Sequence, residues 1–517
     1  MATFHVNEIA TIIGGTIIQG NKDRTINKIS TSSKVGDSDT LFVPIVGERV
    51  DAHDFIADAY KQGIRVTLTS KEEIVAGTDD MIYIKVNHTV DALQRLGEYH
   101  RDQSEVPIIG ITGSVGKTTT KEMIAAALST RCNVLKTIGN MNSQVGLPQM
   151  MLMLEDTHEV GIIEMGMSEF GEMERIAKVA KPNMAVVTNI GVSHIGQLKT
   201  QENIRKEKLN IVNYFTEDSI LLLNGDDPLL LEIYEEYSKD NKSVKDNDSV
   251  KNNNSVKEKT QNNGSVDLSE MTRRSLNKAT VYTFGTNPNC TIYADNIKTD
   301  GESTTFTFHY KEGTKEALVD EVTLSVLGKH NILNALAALF FAIQLGIDPK
   351  ASKEGLKEYK PIAMRGEIDK INGFTIIDDT YNASPDSMKG AIHVIMDMPK
   401  EHKKFIVFAD ILELGDISKK CHYEVGEYLA KQCKLEKACG KESAFIDEVI
   451  TLGEEAKYIL DGVRENAEGI NIKSFMDREE VFRYIKSNIT KGDVILLKGS
   501  RGMKLDLIVK KLKEELS

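Results

Sequence analysis

The sequence has no tryptophan, only five cysteines, no long apolar run and no excess of basic residues, and each absence removes a class of protein. The longest apolar stretch, Ala335 to Ile343, ends at Gln344, far short of the roughly 20 residues a bilayer span requires. No membrane span is expected. The opening residues MATFHVNEIA show no basic region followed by an apolar core and a small-residue cleavage site, so no secretory signal is read there and a cytoplasmic protein is expected. Cys132, Cys290, Cys421, Cys433 and Cys439 form no CxxC pair, and an odd number scattered over a long chain is not a disulfide framework. Reduced, partly buried thiols are the expectation. Cys421 adjoins His422, but neighbours on a helix point in different directions, which argues against a thiol and base acting together.

Basic residues are outnumbered, and the formal charge is -13. A nucleic-acid-binding surface, which needs clustered Lys and Arg, is therefore not expected. The charge leaves small anionic ligands open, because local amides, helix dipoles and metal ions hold those. What remains is the composition of an ordinary soluble globular protein, and 517 residues exceed one hydrophobic core. At about 150 residues per domain, three domains are expected.

Residues 1–103 carry short β-like runs, Gly15 to Ile18, Thr40 to Ile45, Ile64 to Leu68 and Met81 to Val86, separated by helical segments. They read as a small N-terminal α/β domain. In residues 104–326 the runs Val106 to Thr112, Val160 to Glu164 and Met184 to Thr188 are apolar without alternation. Such strands, each followed by a turn and a helix, predict a doubly wound, mainly parallel buried sheet. Residues 327–517 begin with a helix from Asn331 to Leu345 and continue with the apolar runs Phe374 to Asp379, Phe405 to Ala409, Val449 to Leu452 and Val494 to Leu497. That is a second, Rossmann-like α/β unit. Residues 238–275 are rich in Asn, Lys, Asp and Ser, with SV pairs at 243, 249, 255 and 265, and read as a disordered surface insertion.

The chemistry-bearing segment is IIGITGSVGKTTTKEM at 108–123. A buried strand runs into Gly113, Ser114, Val115, Gly116, Lys117, Thr118 and Thr119, and then a helix: a phosphate-binding loop in which consecutive amides and the helix N-terminus face an anion, Lys117 reaches the terminal phosphates and Thr118 can ligate Mg²⁺. Ile111 stands where the general P-loop pattern has Gly. Glu164 closes a neighbouring strand and is a candidate Mg²⁺ ligand, since a parallel sheet delivers it to the same edge. His194 follows the next strand in TNIGVSH and is within reach of a metal or phosphate.

Together with EMGM at 164–167, NIGVSH at 189–194 and GKHNILNALAAL at 328–339, the GITGSVGKTTT loop resembles the Mur ligases of peptidoglycan synthesis. DAHDF at 51–55, IIDDTYNASPDSM at 376–388 and KGSRGM at 498–503 are similar to the branch that adds D-alanyl-D-alanine. The resemblance implies an ATP- and Mg²⁺-dependent ligase whose partners are UDP-N-acetylmuramoyl-tripeptide and D-alanyl-D-alanine; the sequence leaves oligomeric state open, with monomer as the default. It implies that Lys117 and Thr118 hold the β- and γ-phosphates and, with Glu164, a first Mg²⁺. His194 and a carbamylated Lys208 complete the metal site. Asn140 and Asn142 orient phosphate or the substrate carboxyl, Asn331 and Asn334 approach adenine, Arg365 the phosphates and Asp379 the ribose. Ser32 and Ser33, followed by Lys34, take the UDP-sugar, while ADILELG at 409–415, Ser500 and Arg501 take the dipeptide. Rival readings are a sister ligase, a folylpolyglutamate-synthetase-like enzyme, a P-loop ATPase that drives a partner, and a binding protein without catalysis.

Overall fold

A computed structural model describes residues 3–247, 266–313, 315–440 and 444–517. Among them stand three large sheets that build three α/β units along the chain, as expected, and a two-stranded pairing of Phe4–His5 with Thr25–Ile26. The N-terminal sheet has five strands in the order Thr16–Gln19, Ile82–Lys85, Val66–Thr69, Thr40–Phe42 and Lys28–Ser30. Helices Val6–Ile13 and Thr89–Asp102 cover one face; Ile9, Ile13, Leu93 and Leu96 are buried against Leu41, Val66 and Ile84.

The central sheet runs parallel from Val134–Lys136 through Val160–Glu164, Ile108–Thr112, Met184–Val187, Ile220–Asn224 and Thr280–Gly285 to Ile292–Thr299. Its inner strands Ile108–Thr112, Val160–Glu164 and Met184–Val187 are buried on both faces, which is why their apolar residues do not alternate. In Ile108–Thr112, Ile109 and Ile111 enter one core with helix Lys117–Leu128, while Ile108 enters the other with Met173 and Ile176 of helix Glu172–Ala180. An antiparallel extension, Thr304–Glu312 and Lys315–Leu324, ends the sheet. Thr304–Glu312 alternates buried and half-buried residues, as a strand with one covered face does.

Helix Lys329–Gln344 corrects the boundary expected at 326/327. Ile332, Leu336, Leu339, Phe340 and Phe341 join the central core beside Ile124 and Leu128, and the core extends to Leu356 and Tyr359. The helix is apolar around most of its circumference and finds cover only between the sheet and helix Lys117–Leu128. The C-terminal sheet follows. Glu367–Ile371 is antiparallel to Phe374–Asp379, and Val494–Lys498, Lys404–Ala409, Glu448–Leu452 and Asn471–Phe475 continue in parallel.

The 238–275 segment is also corrected where it is described. Helix Pro228–Asn247 runs well into it, and Glu270–Leu276 is helical, capped by Ser269. A helix anchored by buried Leu230 and Ile233 extends into polar sequence at little cost, because nucleation has already occurred. Residues 248–265, which carry the SV pairs at 249 and 255 and Ser265, lie outside the described residues.

All five cysteines are free. Cys421 is buried, and the adjacent His422 accepts a hydrogen bond from the Ile411 amide at 2.9 Å, its other nitrogen lying 2.8 Å from the Ser418 carbonyl oxygen. Both ring nitrogens are engaged by backbone. Among the described residues no helix is long and apolar enough to cross a membrane.

Candidate active site

The parallel register brings the ends of three strands level: Glu164 pairs with Ile111, and Val187 with Thr112. Ligands of open α/β sheets bind outside such carboxyl ends. There the chain turns through Gly113 and Gly116, at φ 148° and 89°, into helix Lys117–Leu128. A Cβ on Gly113 would collide with the Thr188 hydroxyl, so the close approach of the two loops requires glycine. The Ser114 amide donates to the Asn189 carbonyl at 3.1 Å and the Val115 amide to Asn189 Oδ1 at 2.8 Å. Thr188 Oγ1 donates to the Val115 carbonyl at 2.6 Å. The loop is thus tied to the next strand end, and Ile111 in place of glycine sits inside a buried strand without disturbing it.

Lys117 Nζ donates to the Gly113 carbonyl at 2.7 Å. Burial holds its pKa below the ordinary lysine value; Glu164 opposes that shift and Arg365 adds to it. Glu164 is itself buried, and its two carboxylate oxygens accept from Thr118 Oγ1 at 2.9 Å and Asn142 Nδ2 at 2.8 Å. The Glu164 amide donates to Thr137 Oγ1 at 2.8 Å, which fixes the strand end. These contacts leave the carboxylate presented as an oxygen donor beside the phosphate loop.

His194 takes the left-handed conformation at φ 63°, uncommon for a residue with a Cβ and concentrated at functional sites. Its Nδ1 lies 3.0 Å from Glu413 Oε2, a contact between the central and C-terminal units. Burial lowers the His194 pKa, with Glu413 opposing. Lys208, on helix Gln201–Leu209, is 1% exposed. Burial first and the charge of Lys117 second hold its pKa well below the lysine value, while Glu207 opposes. Both effects favour the uncharged amine.

The opposite wall comes from helix Lys329–Gln344 and the C-terminal sheet. Asn331 donates through Nδ2 to the Leu327 carbonyl at 2.7 Å, and Asn334 Oδ1 accepts from Thr120 at 2.8 Å. The Arg365 guanidinium lies 3.8 Å over the Tyr381 ring. Lys498 Nζ donates to Asp379 Oδ2 at 2.6 Å and to the Asn382 carbonyl at 3.1 Å. Between these walls lies a cavity of about 780 Å³, within the range of ligand sites.

The cavity is lined by Ser114, Val115, Gly116, Lys117, Thr118, Thr119, Asn140, Asn142, Glu164, His194, Asn331, Asn334, Arg365 and Asp379. Sequence reading singled out all of these. Gly113 and Lys208, the latter buried, do not line it. Ser32, Ser33, Ser500 and Arg501 do not line it. Ser32 belongs to an N-terminal turn with Ser30, and Ser500 Oγ accepts from the Leu412 amide at 2.9 Å. Asn189, His330, Tyr381, Asp386 and Lys498 line the cavity and were not singled out. All five lie within quoted segments: Asn189 in NIGVSH, His330 in GKHNILNALAAL, Tyr381 and Asp386 in IIDDTYNASPDSM, and Lys498 in KGSRGM. Solvent reaches His330 through the cavity, yet enclosure first, and the charges of Lys498 and His393 next, lower its pKa to about 4. It is therefore a neutral ring at pH 7.

Fold and cavity together define a three-unit P-loop protein built to hold a nucleotide between its second and third units. Residues 111–276 and 262–342 match the Mur ligase middle domain, and 364–501 the Mur ligase glutamate ligase domain. Over 511 residues the chain is 33% identical to the UDP-N-acetylmuramoyl-tripeptide--D-alanyl-D-alanine ligase of Bacillus subtilis (strain 168), covering 98% of each chain. Its fold is similar to crystal structure I of MurF from Acinetobacter baumannii, with TM-score 0.81, 25% identity and 99% of each chain covered. The MurF ligase from Thermotoga maritima in complex with ADP matches with TM-score 0.73 and 26% identity, over 95% of this chain and 97% of that one. The chain belongs to the Mur ligase family.

Proposed function

We propose that the chain joins D-alanyl-D-alanine to UDP-N-acetylmuramoyl-tripeptide at the expense of ATP, through an acyl phosphate, in peptidoglycan synthesis. The observation that carries this reading is the convergence of Lys117, Glu164, His194, Arg365 and Asp379 on one cavity between two units. The named relatives support the choice of substrates.

A carboxylate does not condense with an amine at neutral pH until it carries a leaving group. Its attack on the γ-phosphorus breaks the bond to ADP and gives the acyl phosphate; attack of the amine on the acyl carbon then forms the amide and expels phosphate. Lys117 and Arg365 offset the charge of the phosphates, Asn140 and Asn142 orient the substrate carboxylate, and the amides of the first turn of helix Lys117–Leu128 hold the terminal phosphate, those of Ser114 and Val115 being engaged by Asn189. Asn331 and Asn334 face the adenine, and Asp379 accepts from the ribose hydroxyls. Enclosure between two units keeps water from the acyl phosphate.

Among the described residues no group of three or more His, Cys, Asp and Glu is gathered to hold a metal. Mg²⁺ is ordinarily held by one or two carboxylates with phosphates and waters, so Glu164, the Thr118 hydroxyl and the nearby His194 fit an ion that arrives with the nucleotide. When bound, Mg²⁺ would neutralise phosphate charge. Lys208 is the residue we assign to carbamylation; the uncharged amine favoured by its burial is the form that adds carbon dioxide. The UDP-sugar is assigned to the N-terminal unit around Ser32 and Ser33, and the dipeptide to the C-terminal unit around Ser500 and Arg501.

The deciding assay is phosphate release from ATP with UDP-N-acetylmuramoyl-tripeptide, with D-alanyl-D-alanine, single amino acids or no amine added, and product mass read in parallel. Dipeptide-dependent release with a matching mass gain is expected. Amine-independent release would favour an ATPase, and preference for a single amino acid would favour a sister ligase. Asp379→Asn, which weakens an acceptor for the ribose, is expected to raise the KM for ATP about tenfold and leave that for the dipeptide unchanged. An unchanged ATP KM would remove Asp379 from the nucleotide site.

A further inference from the structure

Six carboxylates line the cavity: Glu164, Glu172, Glu367, Asp369, Asp379 and Asp386. Five are engaged. Thr118 and Asn142 donate to Glu164, Gln144 and the Ser168 amide to Glu172, Lys513 lies against Glu367 and Asp369, and Lys498 pairs with Asp379. Asp386 makes no hydrogen bond or ion pair with any described residue.

Asp386 lies in the first turn of helix Pro385–Asp397, but Ser384 caps that helix, so no capping bond explains the aspartate. Its Oδ2 lies 2.5 Å from the point that a Cβ on Gly191 would occupy. The Gly191 amide donates to Ser114 Oγ at 2.9 Å. A carboxylate of the C-terminal unit thus crosses the cleft to the edge of the phosphate loop, into space that glycine at 191 leaves open. Lys389 on its own helix is the charge that favours its ionised form, while Asp227 of the central unit lies in range with the same sign. Asp386 is exposed and in a first helical turn, so water and the helix dipole carry its charge while the cleft is empty; phosphates filling the cleft displace that water and add like charge, which a cation beside Asp386 would offset. The substrate that carries one is the amine.

We propose that Asp386 receives the ammonium group of the incoming D-alanyl-D-alanine and accepts its proton as the amine attacks the acyl phosphate. The inference rests on the ligase reading above. The proton passes from nitrogen to a carboxylate oxygen, and the freed lone pair forms the C–N bond. The nitrogen of the adduct still carries two hydrogens; as the bond from the acyl carbon to the phosphate oxygen breaks and its electrons leave with inorganic phosphate, the second proton passes to a phosphate oxygen, which leaves the amide N–H, and the Asp386 carboxyl returns the first proton to water. Asp386 is exposed to the cleft, yet partial desolvation by the cleft walls, opposed by Lys389, holds its carboxyl above the ordinary aspartate range, the direction that strengthens a base.

The test compares the full-length protein with Asp386→Asn, which keeps the size of the side chain and removes its charge. Each is given ATP and UDP-N-acetylmuramoyl-tripeptide with either the dipeptide or hydroxylamine, an amine largely uncharged at neutral pH. In the variant, kcat/KM for the dipeptide is expected to fall about 100-fold with a KM rise of about tenfold or more. Hydroxamate formation from the same acyl phosphate is expected to stay within about twofold of the unsubstituted protein. Asp386→Glu should recover part of the dipeptide rate. Dipeptide kinetics within about threefold of the original would overturn the proposal. So would an equal loss of hydroxamate, which would assign Asp386 to the shape of the phosphate loop, or a raised Mg²⁺ requirement, which would assign it to a metal. If the unsubstituted protein makes hydroxamate and no dipeptide product, the substrate reading falls, and Asp386 with it.

Discussion

Lys117→Met is expected to lower dipeptide-dependent phosphate release about 10³-fold while raising the melting temperature. The loss follows from removing one preorganised positive charge where phosphate charge develops, an effect of roughly 10² to 10³ for a single donor, enlarged here because the charge faces phosphates in an enclosed cavity. The gain in stability follows from linkage. Burial lowers the folded-state pKa of Lys117, so at pH 7 the unfolded chain holds the proton more readily than the folded one. Stability contributed by this group therefore rises as pH climbs toward the free lysine value, and at neutral pH the ammonium is a cost. Methionine keeps the unbranched stem and removes that cost. Activity within about tenfold of the original would remove Lys117 from the phosphate site, and a lowered melting temperature would contradict the linkage argument.

Gly426→Ala is expected to destabilise the C-terminal unit by about 3 kcal/mol or more, the upper range for overpacking. Helices Ser418–Ala438 and Lys457–Asn466 cross at two glycines. A Cβ on Gly426 would collide with the Ile459 carbonyl oxygen, and one on Gly462 with that of Tyr423. Both obstacles are backbone atoms, so no rotamer change relieves them. Gly390→Ala is the control. Its Cβ would meet only His330, at 3.4 Å, and its helical position gains up to about 1 kcal/mol from alanine. Urea denaturation of the three proteins checks both statements. Equal midpoints for Gly426→Ala and the original would refute the close crossing.

Much of this arrangement was legible because local physics marks it. Val160–Glu164 and Phe374–Asp379 were delimited from sequence as they stand in the structure, since buried parallel strands are continuous apolar runs between turns. The phosphate loop was legible for the same reason, strand, glycines and helix being adjacent in the chain. Helix Lys329–Gln344 was found but assigned to the wrong unit, because its periodicity shows that it is buried and not against what. Thr304–Glu312 is not marked by an unbroken apolar run: its threonines alternate with aromatic residues, the pattern of an antiparallel strand with one covered face. His194 and Glu413 are far apart in sequence and only the docking of units brings them together, while Lys498 and Asp379 meet because their strands are register partners in the C-terminal sheet, a pairing that the apolar runs do not reveal. Asp386 lies within the quoted segment IIDDTYNASPDSM, but nothing there sets it apart from its neighbours, because what marks it is the lack of a protein partner.

The ties from Asn189 to the phosphate loop bear on how a nucleotide is received. With the Ser114 and Val115 amides already anchored, the conformational entropy of arranging the loop is lost during folding rather than during association. Nucleotide affinity is then governed by charge and by the approach of the C-terminal unit, with little contribution from loop ordering. Loosening Asn189 would weaken binding without removing a single group that touches the ligand.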